Sequence, residues 1–326
     1  MAAYYTVVAV GLCMLMGYAG QISLGHAGFF AIGGYTSAAL TTADFSNASH
    51  GWLGHALIKT GCMAAAEDLY GAHLVRLNPW VACLAAITAT VIIAYCIGLP
   101  VLRLKGHYLA MATLGFGSII SKIVVGTKVF GGADGISGVP PFTITATFGV
   151  CGEMQYRIPN YYFAWAVVIC AALLMHNLVN SRVGRALRAI HGNEEAARAM
   201  GIDTARYKLN VFVLSAVFAA LSGIFLTHYN GGIGPSEASI MKSVRYVAIV
   251  AVGGMANLWG AIAAGAGLNF LSLRGYFGSY DEAVFGLILT ATMLFAPQGL
   301  LVKPEWLAGI TAFFRSSARG RGNGAS

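Results

Sequence analysis

Apolar residues run along this chain in blocks long enough to cross a bilayer, which takes about 20 helical residues. Residues 80–102 carry no Asp, Glu, Lys or Arg before Arg103. Residues 160–180, 209–230 and 283–302 carry none either, and 107–126 carry only Lys122. Residues 4–42 are apolar but punctuated by glycine, with 4–18 short for a span and 22–42 adequate. Residues 244–273 form one long run with Gly253-Gly254 inside it and Arg245 at its edge. Asn78-Pro79 predicts one helix start and Pro159-Asn160 another. The pattern predicts an all-α fold, a polytopic transmembrane helix bundle of about seven to nine membrane segments, some of them broken or re-entrant.

Composition agrees. Of 326 residues, 57% are hydrophobic and only 10% charged, where a soluble domain carries roughly 25%. A soluble globule needs more charge to cover its surface, and a disordered chain would be poorer in apolar residues. The net charge is +8, and its placement gives sidedness. Segment 181–208, the connection 103–106 and the tail from 303 hold twelve of the twenty basic residues and four of the twelve acids. Cytoplasmic loops collect Lys and Arg, so these three segments are predicted inside. The segments 44–78 and 127–159 then fall outside. The excess is topological, not a nucleic-acid patch. No Lys or Arg precedes Lys59, so a secretory signal peptide is not expected.

Parity adds a constraint. With 181–208 and the tail both inside, an even number of crossings must lie between them, yet three apolar stretches do. The glycine-broken run 244–273 is predicted to be either two short helices entering and leaving on the outer side or a tightly kinked pair. Backbone freed at such a break must be buried in protein or line an aqueous cavity. Cys13, Cys83, Cys96 and Cys170 fall in spans and read as small core residues. Cys62 and Cys151 fall in outer segments, where a disulfide would survive.

Two segments carry chemical information. In Gly17-Tyr-Ala-Gly20-Gln21-Ile-Ser23-Leu-Gly25-His26-Ala-Gly28, glycines permit close helix approach, while Gln21, Ser23 and His26 are polar at membrane depth. These polar groups, with Gly253, Gly254 and Asn257, either line a solute path or serve helix packing. The second segment is Gly192-Asn193-Glu194-Glu195-Ala196-Ala197-Arg-Ala-Met200-Gly201-Ile202-Asp203. Asn193 reads as an N-cap, Glu194 and Glu195 suit the positive helix start, and Gly201 terminates. Ala196, Ala197 and Met200 would give this short helix a smooth apolar side able to dock in another protein's groove. The competing reading is a solvated connector.

Glu195-Ala196-Ala197-x-x-x-Gly201 resembles the EAA motif of ABC-importer permeases. The Gly17–Phe30 segment resembles the LivM-type branched-chain amino-acid permease more than its sister LivH type. Leu102-Arg-Leu-Lys-Gly106-His-Tyr108, Gly131-Gly-Ala-Asp134-Gly135-Ile-Ser-Gly138-Val-Pro140, Gly253-Gly254…Leu258-Trp259-Gly260 and Pro297-Gln-Gly299-Leu-Leu match in family order, from about residue 7 to 302. The resemblance implies a permease domain over 1–302, with 44–78 an outer-loop insertion and 181–208 a cytoplasmic coupling segment, followed by a disordered cytoplasmic tail, 303–326. It implies a bacterial inner-membrane, multi-pass subunit that moves branched-chain amino acids inward. Its partners would be a LivH-type permease subunit, two ABC ATPases binding ATP and Mg, a periplasmic or extracytoplasmic solute-binding protein and membrane lipid. Glu194, Glu195, Ala196, Ala197, Met200, Gly201 and Ile202 would couple the ATPase. There are departures. The family has another span before the Gly17 region, and the insertion 44–78 is unusual. Ala256-Asn257 and Gly260-Ala261 replace the usual Gly-Ser and Gly-Pro, and Val211-Phe-Val-Leu214 stands where some importers have Ile-x-Leu-Pro.

No Gly-Lys dipeptide occurs, so this chain holds no Walker A phosphate loop. No cofactor is expected in the chain itself, nor nucleic acid as a partner. No acid/base cluster marks an enzyme, and His50, His55 and His73 lack tight metal-ligand spacing. The alternatives are an ion-coupled secondary carrier for a small polar solute, or the same importer class acting on urea or amides. A carrier is disfavoured by the lack of a visible Asp/Glu/His relay at membrane depth.

Overall fold

The computed structural model describes residues 1–44, 63–67, 73–104, 106–145, 148–276, 278–295 and 299. Among them the helices are α1 (Ala2–Cys13, continued by a π-helical stretch, Met14–Tyr18), α2 (His26–Thr42), α3 (Pro79–Val101), α4 (His107–Gly126), α5 (Arg157–Asn180), α6 (Arg182–Gly192), α7 (Glu194–Ala199), α8 (Thr204–Asn230), α9 (Ile240–Gly253), α10 (Leu258–Leu273) and α11 (Asp281–Phe295). By length and composition α3, α4, α5 and α8 can each cross a bilayer, and α1 and α10 are shorter apolar helices. Six short strands pair in twos: β1 (Met63–Glu67) with β2 (His73–Leu77), β3 (Ile136–Ser137) with β6 (Gly232–Ile233), and β4 (Phe142–Thr145) with β5 (Phe148–Val150). All six lie in connections between helices, so the chain is a polytopic helical membrane protein.

The helices form a centre and a periphery. Nearly every residue of α1 is buried, and α2, α8 and α9 are buried over most of their length. An apolar helix buried all round needs no amphipathic pattern, which is why none is visible in residues 2–18. Around this centre stand α3, α4, α5, α10 and α11, each with one buried face. Their other faces expose large apolar side chains such as Leu84, Met111, Ile169, Leu287 and Leu294. A soluble protein rarely shows so much apolar surface; lipid is its natural solvent.

The centre is organised by a parallel α2–α8 seam. A Cβ on Gly33 would collide with the Ala220 backbone, and one on Gly223 with the Phe30 carbonyl. Between helices in lipid, such backbone approach supplies the van der Waals contact that drives packing. Two polar pairs pin the register. His26 Nε2 lies 2.7 Å from Ser215 Oγ, and the Ser37 hydroxyl lies 2.8 Å from His228 Nε2, whose Nδ1 donates to the Pro140 carbonyl at 2.7 Å.

These contacts fix two ends. At one end Gly20 lies against His191 of the arginine-rich α6. At the other, Val139 N–H donates to the Gly231 carbonyl, Trp80 Nε1 donates to the Thr143 carbonyl, and β3 pairs with β6. The 127–156 connection therefore folds over the ends of α2, α3 and α8. The run 244–273 is an antiparallel helix pair. Its α9 starts beside Tyr5, where Lys242 Nζ lies 3.2 Å from Tyr5 Oη, and descends to Met255, whose carbonyl accepts from Cys13 Sγ at 3.3 Å. α10 then returns to Thr6, which faces Gly265. The two short helices thus enter and leave at the end away from α6, and parity is satisfied.

Some expectations shift. Asn78 caps α3 as anticipated, its side chain accepting from Trp80 N–H at 3.1 Å. α5 instead begins at Arg157, a turn-like step before Asn160, because Pro159 fits a first helical turn whose N–H groups lack partners anyway. Asn160 is buried and donates to the Cys151 carbonyl at 2.5 Å. Cys13 and Cys83 are core residues, but Cys96 and Cys170 are exposed, because their helices bury only one face. Cys62, Lys105, most of the 44–78 insertion, Pro297-Gln298 and the 303–326 tail lie outside the described residues.

The seam predicts a contrast. Gly223→Val should destabilise the protein by about 1–3 kcal/mol or more, as overpacking does. Gly115→Ala, with no atom near its added Cβ, should change stability by less than about 1 kcal/mol. Thermal unfolding in detergent checks this; equal melting temperatures would contradict the seam.

Candidate functional site

The segment joining α5 to α8 is built by local capping. Ser181 caps α6, accepting from Val183 N–H at 3.1 Å. Gly184, Ala186, Leu187 and Ile190 turn inward, leaving the arginines outside. Asn193 then caps α7, its side chain accepting from Glu195 N–H and Ala196 N–H, each at 3.0 Å. The helix stops at Gly201, where φ is +83°. Ile202 N–H donates back to the Ala197 carbonyl and Gly201 N–H to the Arg198 carbonyl. This is the paired bonding of a glycine-terminated Schellman end. Asp203 next caps α8, accepting from Arg206 N–H at 3.2 Å.

The short helix is tied to α8. Glu194 pairs with Lys208 at 2.5 Å and with Arg198 at 3.4 Å. Both Glu194 and Lys208 are largely shielded, so this pair is screened less than a surface one. Of the apolar face read from sequence, Ala197 is buried and anchors the helix, whereas Ala196, Ala199 and Met200 face out, Met200 with 84% exposure. Glu195 and Gly201 are exposed and Ile202 is half-buried. The outward side thus presents Ala196, Ala199 and Met200 flanked by the exposed charges Glu195 and Arg198.

The Gly17–Gly28 segment is a crossing point. After the π-helical end of α1, the backbone runs without helix from Ala19 to Gly25 and re-enters as α2 at His26. Isolated backbone at this depth must be bonded by protein, and it is. Gln21 N–H donates to the Leu15 carbonyl at 3.1 Å, Leu24 N–H to Thr113 Oγ1 at 3.0 Å and Ala27 N–H to Ser243 Oγ at 3.2 Å. Ser23 Oγ lies 3.1 Å from His26 Nδ1, so this histidine is bonded on both ring nitrogens and 1% exposed. Gly25 sits against the Thr113 carbonyl, and Gly17 against the Met255 carbonyl. Ser23, Gly25 and His26 therefore have packing partners.

Gln21 differs. It is 3% exposed, and its side-chain amide makes no hydrogen bond to the described residues. It borders a cavity of about 250 Å³ whose lining includes Gly20, Leu104, His191, Asn193, Glu194 and Lys208. The cavity lies between the crossing point and the start of the 193–203 segment. At the α9–α10 turn, Gly254 (φ +96°) is covered by Gly299, Gly253 by Ala261, and Asn257 caps α10 through Gly260 N–H at 3.1 Å. Gly253, Gly254 and Asn257 thus form a tightly packed, capped turn.

Residues 1–297 match the family described as the branched-chain amino acid transport system / permease component. The chain belongs to this family. It is 29% identical over 322 residues to the high-affinity branched-chain amino acid transport system permease protein LivM of Salmonella typhimurium, spanning 92% of this chain and 68% of that one. Identity to LivM of Escherichia coli K12 is 30% over 318 residues, or 91% and 67%. Identity to the corresponding LivH of E. coli K12 is 26% over 317 residues, 92% of each chain. No solved structure matches. The family is one of transport permeases, not enzymes.

Sequence reasoning missed several partners of the site: Thr113, Ser215, Ser243 and His191. Lone Ser and Thr residues in apolar runs were the available signal, since such groups at membrane depth seek a partner on another helix. Ser215→Ala should leave His26 Nε2 unbonded and cost about 1–3 kcal/mol, read as a lower melting temperature in detergent. An unchanged melting temperature would show that this pair does not hold the seam.

Proposed function

We propose that this chain is the membrane-spanning subunit of an ATP-driven importer that moves branched-chain amino acids into the cytoplasm. The carrying observation is the capped Glu194–Ala199 helix, tied to α8 through Glu194 and Lys208 and presenting Ala196, Ala199 and Met200 outward. A helix fastened to its own bundle yet bare on its outer side suits insertion into a groove of a partner. The partner is an ABC ATPase, which binds ATP and Mg. Two ATPases, a LivH-type permease subunit and an extracytoplasmic solute-binding protein complete the assembly. The names of the LivM and LivH relatives support a branched-chain amino-acid cargo and a paired permease.

The α6 end lies in the cytoplasm of a bacterial inner membrane, because the arginines of 182–206 sit there and basic loops stay inside. The tail is cytoplasmic with it. Closure of the ATPases presses on 193–203, and the motion passes to α8, which begins at Thr204, and to α5, which ends at Asn180. An equilibrium between two tilts of these helices, biased by ATP at one end and solute at the other, is what coupling requires.

Gly201→Val should break the left-handed stop of α7, a conformation costing about 1–2 kcal/mol for an ordinary residue and more for a β-branched one. In proteoliposomes holding the whole complex, uptake should fall about tenfold or more relative to ATP hydrolysis, or the complex should fail to assemble. Normal assembly with normal uptake would refute the coupling role. Uptake that survives ATP depletion and collapses with an ionophore would favour the ion-coupled carrier instead.

A further inference from the structure

Four charged side chains converge where α1, α9 and α11 meet, at the end away from α6. Lys242 Nζ pairs with Glu237 Oε1 at 2.9 Å, and Arg245 pairs with Asp281. Tyr5 Oη donates to Glu237 at 3.0 Å, and Ser272 Oγ to Asp281 at 2.8 Å. Lys242 and Arg245 lie three residues apart on α9, hence on one face. The four side chains are 15–24% exposed, shielded but reachable. Ionisable groups at such positions in a membrane protein are costly and mark functional sites by default.

A pin between helices would explain the ion pairs alone. It does not explain the unused capacity around them. Among the described residues, the hydroxyl of Tyr246, wholly buried, and that of Tyr35, 1% exposed, have no hydrogen-bond partner, and neither does Asp281 Oδ1. Tyr246 packs on Tyr5 with ring centroids 6.3 Å apart and lies in the field of Glu237 and Arg245; Tyr35 lies in the field of Glu237. Buried polar atoms are nearly always bonded, so several orphans around one ionic cluster call for an occupant.

We propose that Glu237, Lys242, Arg245 and Asp281 form a recognition site for the zwitterionic head of an α-amino acid. Glu237 takes the ammonium group, Lys242 and Arg245 take the carboxylate, and the tyrosine hydroxyls complete the shell. The cluster holds two positive and two negative groups, so a zwitterion exchanges partners with it without leaving a net buried charge. A solute lacking either charge leaves one residue of the cluster unpaired, which is expensive out of water. Phe30, stacked on Tyr5, and Phe285, under Arg245, supply apolar surface beside the head group. This inference rests on the reading of the chain as an amino-acid permease and names the permease's own selectivity site.

The test is equilibrium binding of tritiated leucine to the complete membrane complex in nanodiscs, without ATP or binding protein. Saturable binding is expected, displaced by unlabelled leucine but not by leucinamide, which lacks the carboxylate, or 4-methylpentanoate, which lacks the ammonium. Glu237→Gln, which preserves shape, should weaken binding about tenfold or more. The Glu237→Lys/Lys242→Glu swap keeps the ion pair and should be equally weak, whereas a mere helix pin would be rescued by it. Absence of saturable binding, wild-type affinity in Glu237→Gln, rescue by the swap, or equal displacement by either analogue would each overturn the proposal. ATP-driven uptake by the wild-type complex, measured in parallel, reports separately on the transport reading.

Discussion

Backbone contact between α2 and α8 is the constraint from which the rest of the bundle hangs. Lipid offers no hydrophobic force to press two apolar helices together, so they must gain by close packing and by polar pairs. Gly33 and Gly223 bring the two backbones into contact, and the His26–Ser215 and Ser37–His228 pairs set the register at two levels. The neighbouring elements take their places from this seam. α1 lies along it, with the Tyr4 carbonyl accepting from Ser222 Oγ at 2.6 Å. α4 closes on Gly25 through Thr113 and Phe116, and α9 reaches Ala27 through Ser243.

The same seam gives the bundle a mechanical axis. α8 starts at the capped 193–203 segment and ends under the 127–156 connection, and it is buried through most of its length. The polar chemistry lies at the two ends of that axis. Near α6 it is the cavity beside Gln21; at the far end it is the ionic cluster around Glu237. Between them the centre is mostly apolar; under the proposed function, one rigid unit then links an ATPase to a solute without a charge relay through the membrane.

Much of this was legible in the sequence, for physical reasons. Lipid forces long uninterrupted apolar runs, so α3, α4, α5 and α8 announced themselves. Cap residues act locally, so the Asn193 start and Gly201 stop of α7 were readable from a few neighbours, and charge parity foretold the split of 244–273. Partners distant in the chain were not legible. Nothing in the sequence tells that Ser215 meets His26, that Ala197 turns inward while Ala199 turns out, or that Cys96 faces away from the core. The ionic cluster was hidden for the same reason. Arg245 read as a span edge, and Glu237, Lys242 and Asp281 fell outside the predicted spans, until the fold brought four separated positions together.

The central claim is that the outward side of α7 is the surface on which ATP acts. A photoreactive amino acid placed at Met200 in the assembled complex tests it most directly. The account predicts a covalent adduct with the ATPase subunit whose yield changes when ATP is bound, and no such adduct from the same group at Met154, which is exposed at the opposite end of the bundle. Capture of only lipid or water at Met200, or equal capture of the ATPase from both positions, would contradict it.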